Sequence, residues 1–148
     1  MNGFLELAID KFIFRVATDR LYDEQGLWLL LEDAGVRIGF SDFLQQRSGD
    51  IAFAEVKPVG TVLAKGDEMG SVETIKVNLA IASPVAGRVV DTNPLMDSEP
   101  ERINTDPYGE GWVAVVEVED WAADQAALLP PEVFLETMRQ QAQHELDA

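Results

Sequence analysis

Lys76 stands in Val72-Glu73-Thr74-Ile75-Lys76-Val77, at what reads as a tight reversal between two strand-like runs. The chain has only four lysines, the others being Lys11, Lys57 and Lys65. Lys76 alone is flanked by apolar β-formers and followed, after a spacer, by Ser83-Pro84-Val85-Ala86-Gly87. A single amine held at a hairpin tip is an attachment point offered to another protein, the geometry of a swinging-arm carrier. The plainer reading is a solvated surface lysine, the usual fate of the residue.

The chain has few other chemical resources. Its one histidine, His144, lies in a polar stretch near the C-terminus, far in sequence from any candidate serine. No Ser-His-Asp set can be assembled from this. With no cysteine and one histidine, thiolate and multi-histidine metal sites are excluded by count. Gly109-Glu110-Gly111 is too short for a phosphate loop. Carboxylates are plentiful, but most belong to a solvated acidic surface. The set suits a carrier or a binding module, not an enzyme.

Eleven basic and 27 acidic residues give a formal charge of −16. Nucleic-acid binding is disfavoured, because phosphates would be repelled. An anionic membrane surface is disfavoured for the same reason. No apolar run approaches the ~20 residues a membrane span needs. The N-terminus, interrupted by Glu6 and Asp10, is not a signal peptide. A cytoplasmic protein is expected. At 148 residues the chain is one domain-sized unit, able to bury roughly 68–70% of its unfolded surface without a disulfide.

The elements that must position Lys76 are mostly strands. Residues 1–26 read as an N-terminal extension packed on the domain, with Lys11-Phe12-Ile13-Phe14-Arg15-Val16 as a strand or docked extended segment. Leu27-Trp28-Leu29-Leu30-Leu31 turns at Glu32-Asp33-Ala34-Gly35 into Val36-Arg37-Ile38-Gly39-Phe40, as a hairpin would. Ser41 can cap a two-turn helix that Gly49 ends. Ile51 to Val56 is a strand broken by Pro58 and Gly60, and a short strand follows between Gly60 and Gly66. Val85 to Val90 echoes Val59 to Leu63 in its order of glycine and β-branched residues, so Lys76 falls where two similar halves meet. Many short strands between turns predict a β sandwich or barrel. At the C-terminus Asp120 can cap a short helix and Pro131 can begin a second. Phe134, Met138 and Ala142 would line one face of it.

Several segments resemble the H protein of the glycine cleavage system. Asn104-Thr105-Asp106-Pro107-Tyr108-Gly109-Glu110-Gly111-Trp112 is similar to the family's DPYG-x-GW signature, and Gly49-Asp50-Ile51-Ala52-Phe53 to its GDI-x-F strand. Glu73-Thr74-Ile75-Lys76 resembles its E-x-V-K lipoylation site, and Ser83-Pro84-Val85-Ala86-Gly87 keeps the family's spacing after the lysine. The resemblance runs from about Trp28 to about Arg139. It implies a mainly β, flattened barrel-sandwich hybrid with the lysine on a lipoyl/biotinyl-type hairpin and a C-terminal helix, occupying residues 27–148. It implies lipoic acid joined by an amide to Lys76, and Glu73 as a determinant for the lipoate-attaching enzyme. Biotinyl domains carry Met on both sides of their lysine. Ile75 and Val77 stand there instead, which favours lipoyl. The Asn104–Trp112 segment is expected to be architectural.

The departures from the family bear on cargo. H proteins carry acidic and hydroxyl residues around a first-strand tryptophan, and an aspartate four residues after the lysine. These line the cleft that shelters the loaded arm. The matching positions here are Gln25, Leu27 and Ala80, and the family's histidine is Gly26. Burying an unpaired charge is costly, so a cationic amine loses its acceptors. This suggests an H-like carrier of sulfur intermediates for a heterodisulfide-reductase-like complex in lipoate-dependent sulfur oxidation. The alternatives are a glycine cleavage H protein carrying aminomethyl groups between the P, T and L proteins, and an unlipoylated acidic interaction module. Expected partners include a lipoate-protein ligase or lipoyl synthase and dihydrolipoamide dehydrogenase.

Overall fold

The computed structural model describes residues 3–147. Met1, Asn2 and Ala148, which the expected segments 1–26 and 27–148 include, lie outside the described residues. The first strands, β1 (Phe4–Ile9) and β2 (Phe12–Ala17), form a two-stranded hairpin turning at Asp10, whose φ is 54°. The sequence pattern shows β2. It does not show β1 as its partner, because Phe4-Leu5-Glu6-Leu7 alternates too loosely.

β3 (Leu21–Tyr22), β4 (Leu27–Leu31) and β5 (Val36–Phe40) open a six-stranded sheet in the order β3-β4-β5-β11-β10-β7. Its other members are β7 (Val62–Leu63), β10 (Gly87–Thr92) and β11 (Ala114–Val118). The echoing segments meet here: Gly87 and Arg88 of β10 pair with Leu63 and Val62 of β7. A three-stranded sheet contains β6 (Ile51–Val56), β8 (Glu68–Thr74) and β9 (Asn78–Ala82), with β8 central.

The two larger sheets close over one core built from Leu27, Leu29, Ile38, Phe40, Met69, Val72, Ile81 and Val116, among others. Leu27-Trp28-Leu29 is continuously apolar because β4 is buried on both faces. Leu27 and Leu29 belong to the inter-sheet core, while Trp28 belongs to a second one. That second core lies under the N-terminal hairpin and the C-terminal helix. It joins Leu7, Phe14, Val16, Tyr22, Phe43, Phe134 and Met138, with Tyr22 stacked on Phe134 at 4.3 Å between ring centroids.

The expected helices are present. α1 (Asp42–Ser48) is capped by the Ser41 hydroxyl, which accepts from the Leu44 N–H, and it ends at Gly49 with φ 85°. Two four-residue helical turns follow β10, α2 (Leu95–Ser98) and α3 (Arg102–Thr105). They are too short to show a hydrophobic period. Asp120 caps α4 (Trp121–Ala126), and Pro131 begins α5 (Pro131–Asp147). Phe134, Met138 and Ala142 form the buried stripe of α5. Among the described residues no helix is long and apolar enough to cross a membrane.

Candidate functional site

The reversal expected at Lys76 joins β8 to β9, whose last pair is Glu73 and Asn78. Thr74 builds the turn. Its hydroxyl oxygen accepts the N–H groups of Lys76 and Val77, both at 3.1 Å, and the hydroxyl donates to the Val77 carbonyl at 3.3 Å. The Thr74 N–H also donates to the Val77 carbonyl, at 2.9 Å. Threonine hydroxyls do this in tight turns because they can replace a backbone acceptor two residues on. Thr74 is buried, while Ile75, Lys76 and Val77 are exposed. Ile75 is 95% exposed, so no neighbour competes for the tip. The result is one amine projected on a short, internally bonded loop.

Beneath the tip lies the end of α1. The Lys76 stem passes over Gly49, where an added Cβ would stand 3.6 Å from its Cε. Asn104 fixes this junction. Its amide nitrogen donates to the Gly49 carbonyl and to Gln45 Oε1, both at 3.0 Å, and its Oδ1 accepts the Ile51 N–H at 2.8 Å. The expected architectural role of the Asn104–Trp112 segment continues along its length. The Pro107 carbonyl accepts from Trp28 Nε1 at 2.9 Å, and the Tyr108 hydroxyl donates to the Arg15 carbonyl at 2.7 Å. That second bond ties the N-terminal hairpin to the segment that supports the site.

Beside the tip a cleft of about 320 Å³ opens between α1, β4, β5 and β9. Leu27, Phe40, Leu44, Leu79 and Ile81 wall it, and Val77 brings it to the residue after Lys76. Gln25 crosses its edge. Its amide nitrogen donates to the Ala82 carbonyl at 2.9 Å, and its Oε1 accepts the Ala82 N–H at 3.2 Å. Asp23 sets the loop that aims Gln25, accepting the N–H groups of Gln25, Gly26 and Leu27. Burial pushes the Asp23 carboxyl above the usual range, and these hydrogen bonds pull it back.

Glu73 is exposed on β8, three residues before Lys76, and opposes Phe53 on β6. Phe53 is 68% exposed, so the lysine tip has an apolar flank as well as an acidic one. His144 is exposed on α5. Among the described residues no cluster of His, Cys, Asp or Glu could hold a metal ion. The sequence reading missed Thr74 and Arg47, the latter at the cleft mouth. A threonine two residues before the tip of a tight turn was the signal available for the first. Nothing local marks the second, because its place depends on how α1 packs.

Two sheets over one core, with a lysine on an exposed hairpin and a C-terminal helix, define a flattened barrel-sandwich fold of the lipoyl/biotinyl type. A crystal structure of a glycine cleavage system H protein from Mycobacterium marinum superposes with a TM-score of 0.69 at 28% identity, covering 84% of this chain and 98% of that one. The family described as Glycine cleavage H-protein matches residues 20–141. The probable glycine cleavage system H protein of Aeropyrum pernix is 38% identical over 135 residues, 91% of this chain and 92% of that protein. The glycine cleavage system H protein of Listeria innocua is 44% identical over 112 residues, 75% of this chain and 88% of that protein. The chain belongs to the glycine cleavage H-protein family. These relatives back the glycine-cleavage reading over the sulfur-oxidation one expected from Gln25, Leu27 and Ala80.

Proposed function

We propose that the chain is a lipoyl carrier of the glycine cleavage system, with lipoate attached to Lys76 and aminomethyl groups as its cargo between P, T and L proteins. The observation that carries this is the Thr74-bonded hairpin, which presents Lys76 alone and exposed beside an apolar cleft. The residues fit the group. The amine is free to be acylated at the tip, and the cleft walls suit an aliphatic arm. Once joined by an amide, lipoate supplies a disulfide–dithiol couple able to carry a group on sulfur.

The chain's own part is positional. Thr74 holds the turn, Asn104 holds the floor under it, and Gln25 ties the β3–β4 loop to β9. Glu73 lies on the same exposed edge as Lys76 and serves recognition by the lipoate-attaching enzyme, a ligase or a synthase-dependent route. Acylation removes the lysine's charge, so the partners meet an uncharged stem on an acidic body. Dihydrolipoamide dehydrogenase, the L protein, would reoxidise the arm.

Intact mass after expression in a lipoylating host should show one lipoyl increment, absent from Lys76→Arg. The loaded protein should support glycine decarboxylation with P protein. An unmodified mass in a competent host, or a loaded protein that P protein does not use, would overturn the proposal.

A further inference from the structure

The N-terminal hairpin lies outside the family match, which begins at residue 20. Its register shows where its backbone groups point. The Thr18 N–H donates to the Gly3 carbonyl at 3.1 Å, and the β1–β2 pairing carries that pair on as Leu5 with Val16, Leu7 with Phe14 and Ile9 with Phe12. Bonded and non-bonded pairs alternate along an antiparallel ladder. Leu5, Leu7 and Ile9 therefore bond to β2, while the N–H and C=O groups of Phe4, Glu6 and Ala8 point away from it.

The same alternation turns Ile13, Arg15 and Ala17 outward on β2, and side chains close that edge. Asp42 accepts the Arg15 N–H at 2.9 Å. Tyr108, Gln46 and Tyr22 donate to the carbonyls of Arg15, Ile13 and Ala17 at 2.7, 3.1 and 2.7 Å. The edges of the other sheets are stopped as well. Tyr22 of β3 exchanges both backbone bonds with Leu129. Gln25 occupies both backbone groups of Ala82 on β9, and Asn104 takes the Ile51 N–H of β6. β7 is only two residues long. Among the described residues nothing bonds the outward groups of β1. This strand has six residues, Phe4-Leu5-Glu6-Leu7-Ala8-Ile9, with none of the prolines, lysines or bulges that usually blunt an edge.

We infer that β1 pairs antiparallel with β1 of a second copy, giving one continuous sheet in the order β2-β1-β1-β2 and a weak, reversible dimer. Charge and symmetry commit the edge to that occupant. The chain carries a formal charge of −16, yet in the hairpin Glu6 and Asp10 are matched by Lys11 and Arg15. Copies that repel elsewhere can therefore meet here, since exposed charges further off than about 8 Å are largely screened. A basic partner would be drawn to other faces. The edge is also self-complementary. With the two-fold axis at Glu6, Phe4 of one copy faces Ala8 of the other, and every outward N–H and C=O of Phe4, Glu6 and Ala8 finds a partner. The exposed Phe4 and Ile13 then flank the joint on the solvent face. Two features keep the dimer weak. The contact is one strand wide, below the roughly 1,000 Å² of a stable interface, and Glu6 faces its own counterpart, a like-charge pair. The Lys76 tip belongs to another sheet, so the dimer carries two such tips. The inference holds whether or not Lys76 is lipoylated.

Sedimentation velocity of the full chain, from micromolar to millimolar concentration, should show a monomer giving way to a species of twice the mass. Amide exchange followed over the same range should slow at Phe4, Glu6 and Ala8. Leu5, Leu7 and Ile9, bonded within the hairpin, should stay protected throughout. Ala8→Pro removes an outward donor from each copy and leaves the β1–β2 bonds intact, so the fold should hold. It should weaken the dimer by about tenfold or more. Glu6→Gln removes the like-charge pair and should tighten it by up to about fivefold. A chain that stays monomeric over the whole range would overturn the inference. So would a dimer indifferent to Ala8→Pro, or exchange at Glu6 and Ala8 that ignores concentration. Protection of those amides only when P protein is added would give the edge to a partner's strand and overturn self-pairing.

Discussion

Replacing Thr74 with valine tests whether the hairpin tip is held by its own side chain. Valine keeps the β-branched shape and the buried methyl contacts, and removes only the hydroxyl. Three hydrogen bonds go with it, two accepted at 3.1 Å and one donated at 3.3 Å. A net hydrogen bond contributes about 0.5–1.5 kcal/mol. Here the longest is weak, and the exposed Lys76 and Val77 N–H groups can turn to water. The loss should therefore be about 1–2 kcal/mol in all. For a chain of this size that lowers Tm by roughly 2–8 °C. The same loosening lets the tip leave the conformation an attaching enzyme must recognise. Lipoylation kcat/KM, followed by intact mass, should fall by up to about tenfold. Thr74→Ser keeps the hydroxyl and should restore most of the rate. Thr74→Val with unchanged Tm and lipoylation rate would refute the reasoning. A serine variant as slow as the valine one would refute it equally, because the hydroxyl would then not be what acts.

The packing makes further predictions. Met138→Ala removes a side chain from the core under α5, where it is 1% exposed. It should cost about 2–5 kcal/mol in denaturant unfolding. Gly39→Ala places a Cβ 2.6 Å from the ring of the fully buried Trp28. Overpacking of this kind costs about 1–3 kcal/mol, and near-ultraviolet circular dichroism of the tryptophans should change with it. Burial raises the ionisation of both tyrosines, Tyr22 and Tyr108, above the ordinary range. Their hydroxyls are held by the Ala17 and Arg15 carbonyls, both at 2.7 Å. The folded state keeps protons that the unfolded chain releases near pH ~10, so stability is fully present below that and falls as pH rises further. Phenolate absorbance should appear together with loss of circular dichroism. Phenolate forming well before unfolding would contradict this.

Much of the scaffold was legible because its signals are local. Ser41, Gly49, Asp120 and Pro131 each mark a helix boundary by their own chemistry, and Phe134, Met138 and Ala142 mark a face by spacing alone. The reversal at Lys76 was legible for the same reason. What stayed hidden depends on distant partners. β1 becomes a strand by pairing with β2, and Tyr108 becomes a clamp because it reaches Arg15 across 93 residues. In sequence Gln25 reads as the loss of a hydroxyl from the expected polar set. In the structure its amide bridges to the Ala82 backbone, a use that only the approach of β9 makes possible.

The hairpin tip and the cleft beside it rest on different parts of the chain. The tip depends on residues 73–77 and on the α1–β6 junction below them. The cleft depends on β4, β9 and the mouth of α1, and Gln25, Leu27 and Ala80 line it. A carboxylate at position 27 would enter a site where the side chain is 1% exposed, against the inter-sheet core that Leu27 now fills. Restoring it alone should cost stability, since an unpaired buried charge has no partner there. At the exposed Ala80 the same charge should be tolerated.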